Sequence, residues 1–479
     1  MPGSRIMNRL QKALIVTATA IFLWIGSCKL PIADNVGSDP SATLLTAESL
    51  IQHGSVNLNH YPRAILERRG TYQIVGRGEG KPKKLVDTPE EDPVFYFYPP
   101  GSPISAIPAA WISNKLGISF VDFSNEVLVQ RILSGSIFTV NYITMVLMGS
   151  SICGFLPAVV LALAWSLGSS LLSTGISALW SHDFAIFYAF LAINALYGLT
   201  IQRDLLISGK TKINSQRTKA FLAGIFSIAA FACRPGMILL TGCGIGYIAS
   251  TKSIRNSMLS PYIGGLLVAL TSFWIFSQAQ YESFVPPYYL MKLSPHSISE
   301  ATGAIVGLLL SPSRGLFIFT PISAFYSLLC IWIWKKEGFK NWMIFAIVWP
   351  LLQLILLSRW PGWWGGASYG PRLLMDIIPG MAFGSFFVES ELKIIRWPLQ
   401  KNNQLLLKML LGCAIFFSII VHSSPLIGSN AIWKYRWNTD PIVDKCAEVI
   451  WDWRYPQFIH NQIRHQQRLQ ELKQGRYTC

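Results

Sequence analysis

Apolar runs of bilayer length alternate with short polar stretches along most of this chain, and their spacing predicts helices that cross a membrane. The first run, residues 13–27, stands behind Arg5, Arg9 and Lys12. A polar segment, residues 29–126, follows it and contains no run long enough to span. Further runs occupy residues 127–148, 153–172, 175–200, 221–233, 237–249, 259–276, 316–334, 342–357, 373–388 and 405–421. Residues 301–310 are apolar but too short to cross, which predicts a half-helix or interfacial segment. The pattern predicts an all-α polytopic bundle of about eleven transmembrane helices within residues 1–424, a long first extracytoplasmic loop at 29–126 and an extracytoplasmic tail at 425–479.

Charge assigns the sides. Lys and Arg outnumber Asp and Glu by 40 to 24, a formal net charge of +16. The excess gathers between runs, at Arg203, Lys210, Lys212, Arg217 and Lys219, at Lys252 and Arg255, at Lys335 and Lys336, and at Lys393, Arg396, Lys401 and Lys408. Lys and Arg are retained on the cytoplasmic side, so the N-terminus and these loops belong inside and the first loop belongs outside. The basic residues form no stripe with interleaved aromatics, which excludes a nucleic-acid surface. A composition of 51% hydrophobic and 13% charged residues, with mean hydropathy +0.39, agrees with a membrane protein. Ile25-Gly-Ser-Cys28 has the look of a lipoprotein cleavage box, but an uncleaved first helix is expected, because that helix sets the orientation.

Several chemistries drop out at this point. Gly76-Arg-Gly-Glu-Gly-Lys81 has the wrong spacing for a phosphate loop and is followed by Pro82. No serine nucleophile elbow, His-Glu-x-x-His helix or Asp-x-Asp pair is expected, so no metal ligand set and no cofactor are assigned. Six of the eight cysteines lie in or beside apolar runs without C-x-x-C spacing and read as packing residues. Cys446 and Cys479 fall in the outer tail, where an oxidising compartment permits a disulfide.

What remains is chemistry at the outer face. Ser38-Asp39-Pro40 has the form of a helix start, and Leu44, Ala47, Leu50 and Ile51 recur at helical spacing behind it. Asp39 is therefore either an N-cap or a reactive carboxylate at the membrane surface, with Asp34 close by. Residues 96–111 are aromatic and Pro-rich, which predicts a segment lying against the bilayer, with Tyr98 in it. Arg314 and Arg372, with Lys292 and Arg234, supply cations at headgroup level that suit a phosphate. His182-Asp183 is an ionisable pair near the outer end of an apolar run.

Four stretches, in this order on the outer face, carry a family resemblance: Asp39 ahead of Ala47-x-Ser-Leu-x-x-x-Gly54; Tyr98-Pro-Pro-Gly-Ser-Pro103; Leu310-Ser-Pro-Ser-Arg-Gly-Leu316; and Trp363-Trp-Gly-Gly-Ala-Ser-Tyr-Gly-Pro-Arg372. Together, from Asp39 to about Pro379, they resemble the polytopic GT-C glycosyltransferases, especially the bacterial branch related to protein O-mannosyltransferases and lipid A aminoarabinose transferases. The resemblance implies an enzyme of the bacterial plasma membrane that moves a sugar from a polyprenyl-phosphate donor to an extracytoplasmic glycan, lipid or protein. It implies Asp39 as general base, with Asp34 in reserve because Pro40 stands where relatives often carry a second acid. Arg372, Arg314, Lys292 and Arg234 then serve the donor phosphate, and His182, Asp183, Tyr98, Trp364 and Tyr369 line the pocket. A transporter or lipid flippase is the alternative; against it stand the uncharged connection at 149–152, the lack of a convincing internal repeat and the scarcity of ionisable residues deep in the runs.

Overall fold

The computed structural model describes residues 7–29, 39–68, 73–74, 83–84, 92–201, 213–290, 296–394, 401–427 and 431–475. Its main helices are α1 (Arg9–Lys29), α2 (Thr43–His53), α3 (Gly101–Lys115), α4 (Phe123–Cys153), α5 (Phe155–Leu167), α6 (Ser181–Ile201), α7 (Ile213–Cys233), α8 (Ile238–Ser250), α9 (Arg255–Tyr281), α10 (Ile298–Leu310), α11 (Pro321–Glu337), α12 (Trp349–Ser358), α13 (Ile378–Ile394), α14 (Lys401–Ser423) and α15 (Gln462–Lys473). The β structure among the described residues is one short antiparallel ladder, Gln73–Ile74 with Lys83–Lys84, and isolated bridges.

Among the described residues, six helices are long and apolar enough to cross a membrane: Arg9–Lys29, Phe123–Cys153, Ser181–Thr200, Arg255–Tyr281, Arg372–Leu392 and Leu405–Ser423. Four shorter apolar helices stand among them, Phe155–Leu167, Pro235–Ser250, Ile298–Leu310 and Ile344–Ser358. The chain is thus an all-helical membrane protein, with fewer full-length apolar helices than the eleven runs suggested. The difference is clearest at 153–200. There α5 stops at Leu167, the chain turns through Gly168, Ser169 and a π-helical turn at Leu171–Gly175, and α6 restarts only at Ser181. Glycine and serine favour turns over helix interiors, so the runs at 153–172 and 175–200 are each shortened by the turn between them.

Within the first loop, the helix expected behind Asp39 is present as α2, with Leu44, Leu45 and Ala47 fully buried. The Pro-rich segment forms α3, whose Pro103 sits in the first turn, where a missing N–H costs nothing. Gly101 brings α3 onto the backbone of Ala232 and Cys233 at the end of α7, leaving no room for a Cβ. Both helices pack on the bundle, so the loop is a built part of the protein and not a tether.

Short helical turns and α15 form the tail, which packs around Trp437. The Arg314 and Arg468 guanidiniums lie 5.3 and 4.5 Å from its ring centre. Cys446 is disulfide-bonded, while Cys28, Cys153, Cys233, Cys243, Cys330 and Cys413 are free; Cys479 lies outside the described residues.

His460 Nε2 and His465 Nδ1 sit 3.2 Å apart, both rings buried, with Asp440 3.5 Å from His465. Burial and the nearby charges of Arg468, His465, Lys434 and Arg464 push His460 down to about 3. The unfolded imidazole gains its proton below about 6.5 and the folded one resists until about 3, so tail stability is full above that window and falls as pH drops through it. Limited proteolysis of residues 431–475 should accelerate between pH 6.5 and 4, and His460→Gln should flatten that dependence; a rate equally pH-dependent in both proteins places the titrating group elsewhere.

Candidate functional site

A neutral side chain brings the first loop to the bundle. Gln130 on α4 is fully buried; its Nε2 donates to the Pro40 carbonyl at 2.6 Å and its Oε1 accepts from Leu179 N at 3.2 Å. One amide thereby holds segment 39–42 beside the turn that leads into α6. Glu126, one helical turn earlier, accepts from Leu44 N at 3.2 Å and fixes the start of α2.

Held in this way, Asp39 occupies the first position of a 3-10 turn, Asp39–Ala42, and is buried. It does not cap α2, whose N-cap residue is Ala42 without a side-chain cap bond. Its carboxylate instead receives the Ser181 hydroxyl on Oδ2 at 2.7 Å, and no described residue donates to Oδ1. The Asp39 carbonyl accepts from Tyr96 OH at 2.6 Å and Thr43 Oγ1 at 3.0 Å, which fixes the turn from both sides.

Ser181 Oγ also receives Arg234 Nη1 at 3.2 Å, and Arg234 Nε donates to Asp376 Oδ2 at 2.8 Å. The other Asp376 oxygen meets His182 Nδ1 at 2.7 Å. Asp376 is fully buried, Arg234 keeps 16% of its side chain exposed, and its Nη2 group donates to no described residue. His182 Nε2 is buried without a hydrogen-bond partner. The result is a continuous network, Asp39–Ser181–Arg234–Asp376–His182, built from four separate parts of the chain.

Arg372 stands over it. The guanidinium stacks on Trp180 with 4.5 Å to the ring centre, donates from Nη2 to the Gly365 carbonyl at 3.0 Å, and lies in the electrostatic field of Asp39, Arg234, Tyr98 and Tyr288. Its Nε is buried and unpartnered. Tyr98 and Tyr288 pack with ring centres 5.9 Å apart, and neither hydroxyl is bonded to a described residue. Burial raises both phenols above their ordinary value, against the nearby Arg234 in the case of Tyr288, so both keep their protons as donors. Chemically the cluster offers one carboxylate oxygen, two guanidiniums with unused N–H groups and two phenol hydroxyls within one another's electrostatic reach, a set suited to an anion beside a hydroxyl or amine.

Not every expected residue joins it. Arg314 is buried and all five of its N–H groups are consumed: Nε by Trp364 O at 2.8 Å, Nη1 by Ser313 O at 2.8 Å and Gln457 Oε1 at 2.6 Å, Nη2 by Gly366 O at 3.1 Å and Asn438 Oδ1 at 2.7 Å. It clamps the 359–372 loop to the tail and has no donor left for a phosphate. Trp364 points to the tail, with Nε1 on Asp444 Oδ1 at 2.7 Å, and Tyr369 is buried with its hydroxyl on Val421 O at 2.7 Å. The Asp183 carboxylate accepts from Trp180 N at 2.9 Å and closes the first turn of α6. Asp34 and Lys292 lie outside the described residues. Residues 366–370 do carry Gly-x-Ser-x-Gly spacing, but no strand leads into them and the Ser368 hydroxyl has no partner, so they are no elbow.

The three-residue or larger groups of His, Cys, Asp and Glu that hold metal ions are absent among the described residues. No protein-family model matches this chain, and no curated protein matches it.

Asp376→Ala should lower stability by about 3–5 kcal/mol, because it leaves Arg234 and His182 facing each other without their shared carboxylate. Denaturation in detergent micelles measures this, with Asp376→Asn expected to lose less; equal midpoints for wild type and Asp376→Ala would show that the network carries no stability.

Proposed function

We propose that the protein is an integral-membrane glycosyltransferase that moves a sugar from a polyprenyl-phosphate donor to an extracytoplasmic acceptor. The observation that carries this reading is the Asp39 carboxylate, tethered by Ser181 through one oxygen and open at the other, beside the partly unpaired guanidiniums of Arg234 and Arg372.

The chemistry follows from those groups. An acceptor hydroxyl or amine loses its proton to the open Asp39 oxygen as it attacks the anomeric carbon. The new bond to that carbon forms as the carbon–oxygen bond to the phosphate breaks. The lipid phosphate departs with an added negative charge, which Arg372 and Arg234 receive through N–H groups already fixed in place. Tyr98 and Tyr288 offer hydroxyls and ring faces to the sugar.

An apolar groove of about 240 Å³ supports a lipid substrate. Its wall includes Leu309, Leu316, Phe317, Leu351, Met381 and Leu374, the last of them two residues after Arg372 in the chain. A prenyl chain in the groove would present its phosphate at the guanidinium. The bacterial plasma membrane as location, and the outer side as the side of reaction, belong to the same proposal and rest on the distribution of Lys and Arg.

Membranes carrying wild type or Asp39→Asn, given radiolabelled polyprenyl-phosphate sugars and extracted for acceptors, test the base. Transfer should fall by about 100-fold or more in the variant. Equal transfer by both removes Asp39 from the mechanism, and no transfer by wild type with any donor favours a transporter. Arg372→Ala should raise the KM for donor well above that of Arg359→Ala, because Arg359 takes no part in the network; the reverse order places the phosphate elsewhere.

A further inference from the structure

Gln457 lies in the tail, far along the chain from every group in the proposed site, yet it is fully buried and uses its whole hydrogen-bonding capacity. Its Oε1 accepts from Arg314 Nη1 at 2.6 Å and from Gly370 N at 3.0 Å, and its Nε2 donates to Ser368 O and Lys434 O, both at 3.0 Å. Three of those four contacts lead to the loop that ends at Arg372: Ser368 and Gly370 directly, and Arg314 through the carbonyls of Trp364 and Gly366.

The loop transmits this grip because of its backbone. Gly365 and Gly366 both have positive φ, 78° and 64°, a conformation that L side chains rarely adopt. Two successive left-handed residues let neighbouring carbonyls part company: those of 364 and 366 accept from Arg314, while that of 365 accepts from Arg372. The Gly365 carbonyl is the one hydrogen-bond acceptor of the Arg372 side chain among the described residues, so its direction, with the Trp180 ring on which the guanidinium stacks, sets the direction of the guanidinium.

We propose that the tail is a positioning element of the site, in which Gln457, acting through Arg314 and the Gly365–Gly366 turn, aims Arg372 at the phosphate of a lipid ligand. This rests on the lipid-phosphate reading above. Gln457 touches no substrate; it fixes a group that does.

The full chain in lipid nanodiscs, with farnesyl phosphate as ligand and binding followed by the fluorescence of the tryptophans, tests it. Gln457→Ala and Arg372→Ala should each weaken binding about tenfold, and the double variant should bind no more weakly than Arg372→Ala, because both changes act on one interaction. Exposed Ile463→Ala on α15 should bind as wild type. Gln457→Ala binding as wild type, or losses that multiply in the double variant, overturn the proposal while leaving the phosphate site standing. Wild type that binds no farnesyl phosphate removes the phosphate site, and the proposal with it. Should Gln457→Ala fail to fold, Gln457→Glu carries the same cycle: it keeps the oxygens that meet Arg314 and Gly370 and loses both donors, and its weakening must likewise vanish in the Arg372→Ala background.

Discussion

The Asp376 carboxylate holds the site-bearing ends of several helices in register. It is fully buried, and an ionised carboxylate removed from water must be compensated by hydrogen bonds and opposite charge. His182 at the start of α6 compensates one oxygen and Arg234 in the turn between α7 and α8 compensates the other. Because these partners come from parts of the chain far apart in sequence, satisfying one charge fixes where three segments meet. Arg234 then reaches Ser181, and Ser181 reaches Asp39, so the proposed base is located by a chain of bonds that begins at Asp376.

Neutral groups do the complementary work. Gln130 sets the backbone of segment 39–42 against the turn before α6, and Gln457 sets the loop before Arg372 against the tail. An amide offers two acceptor sites and two donors with no charge to desolvate, which suits it to joining irregular backbone in the interior. In both places the backbone is not α-helical and its N–H and C=O groups need partners other than those an α-helix supplies. The two glutamines have equivalent roles, one joining the backbone behind Asp39 and the other the backbone ahead of Arg372.

Much of this cluster was legible from residue type and side. Asp39, Arg372, Arg234 and Tyr98 were singled out because an acid, cations and an aromatic ring recur between apolar runs on one face. Asp376 was missed, although an acid four residues after Arg372 and inside a predicted span is itself a signal, since an ionisable residue there needs a partner. Gln130, buried in α4, left a similar trace. Tyr288 and Ser181 left none, because nothing in their local sequence separates them from ordinary loop and helix-start residues. Arg314 is expected at the donor phosphate and Trp364, Tyr369 and Asp183 in the pocket on the same grounds as Arg372 and Tyr98, and residue type could not foresee that their polar groups are hydrogen-bonded within the protein.

The sequence by itself determined that this is a helical membrane protein, that helices stand in its first loop, and that acid and guanidinium groups accumulate between apolar runs. Those properties follow from run length, periodicity and composition, which act locally. Only the tertiary structure decided which arginine is spent and which is available. Arg314 and Arg372 meet one glycine turn, where two of three consecutive carbonyls accept from the first and one from the second, and Ser313, Gln457 and Asn438 take the remaining donors of Arg314 while most of those of Arg372 are left. Carbonyl direction depends on backbone dihedrals that glycine permits but does not dictate, so the choice is made by the tail packed against the turn.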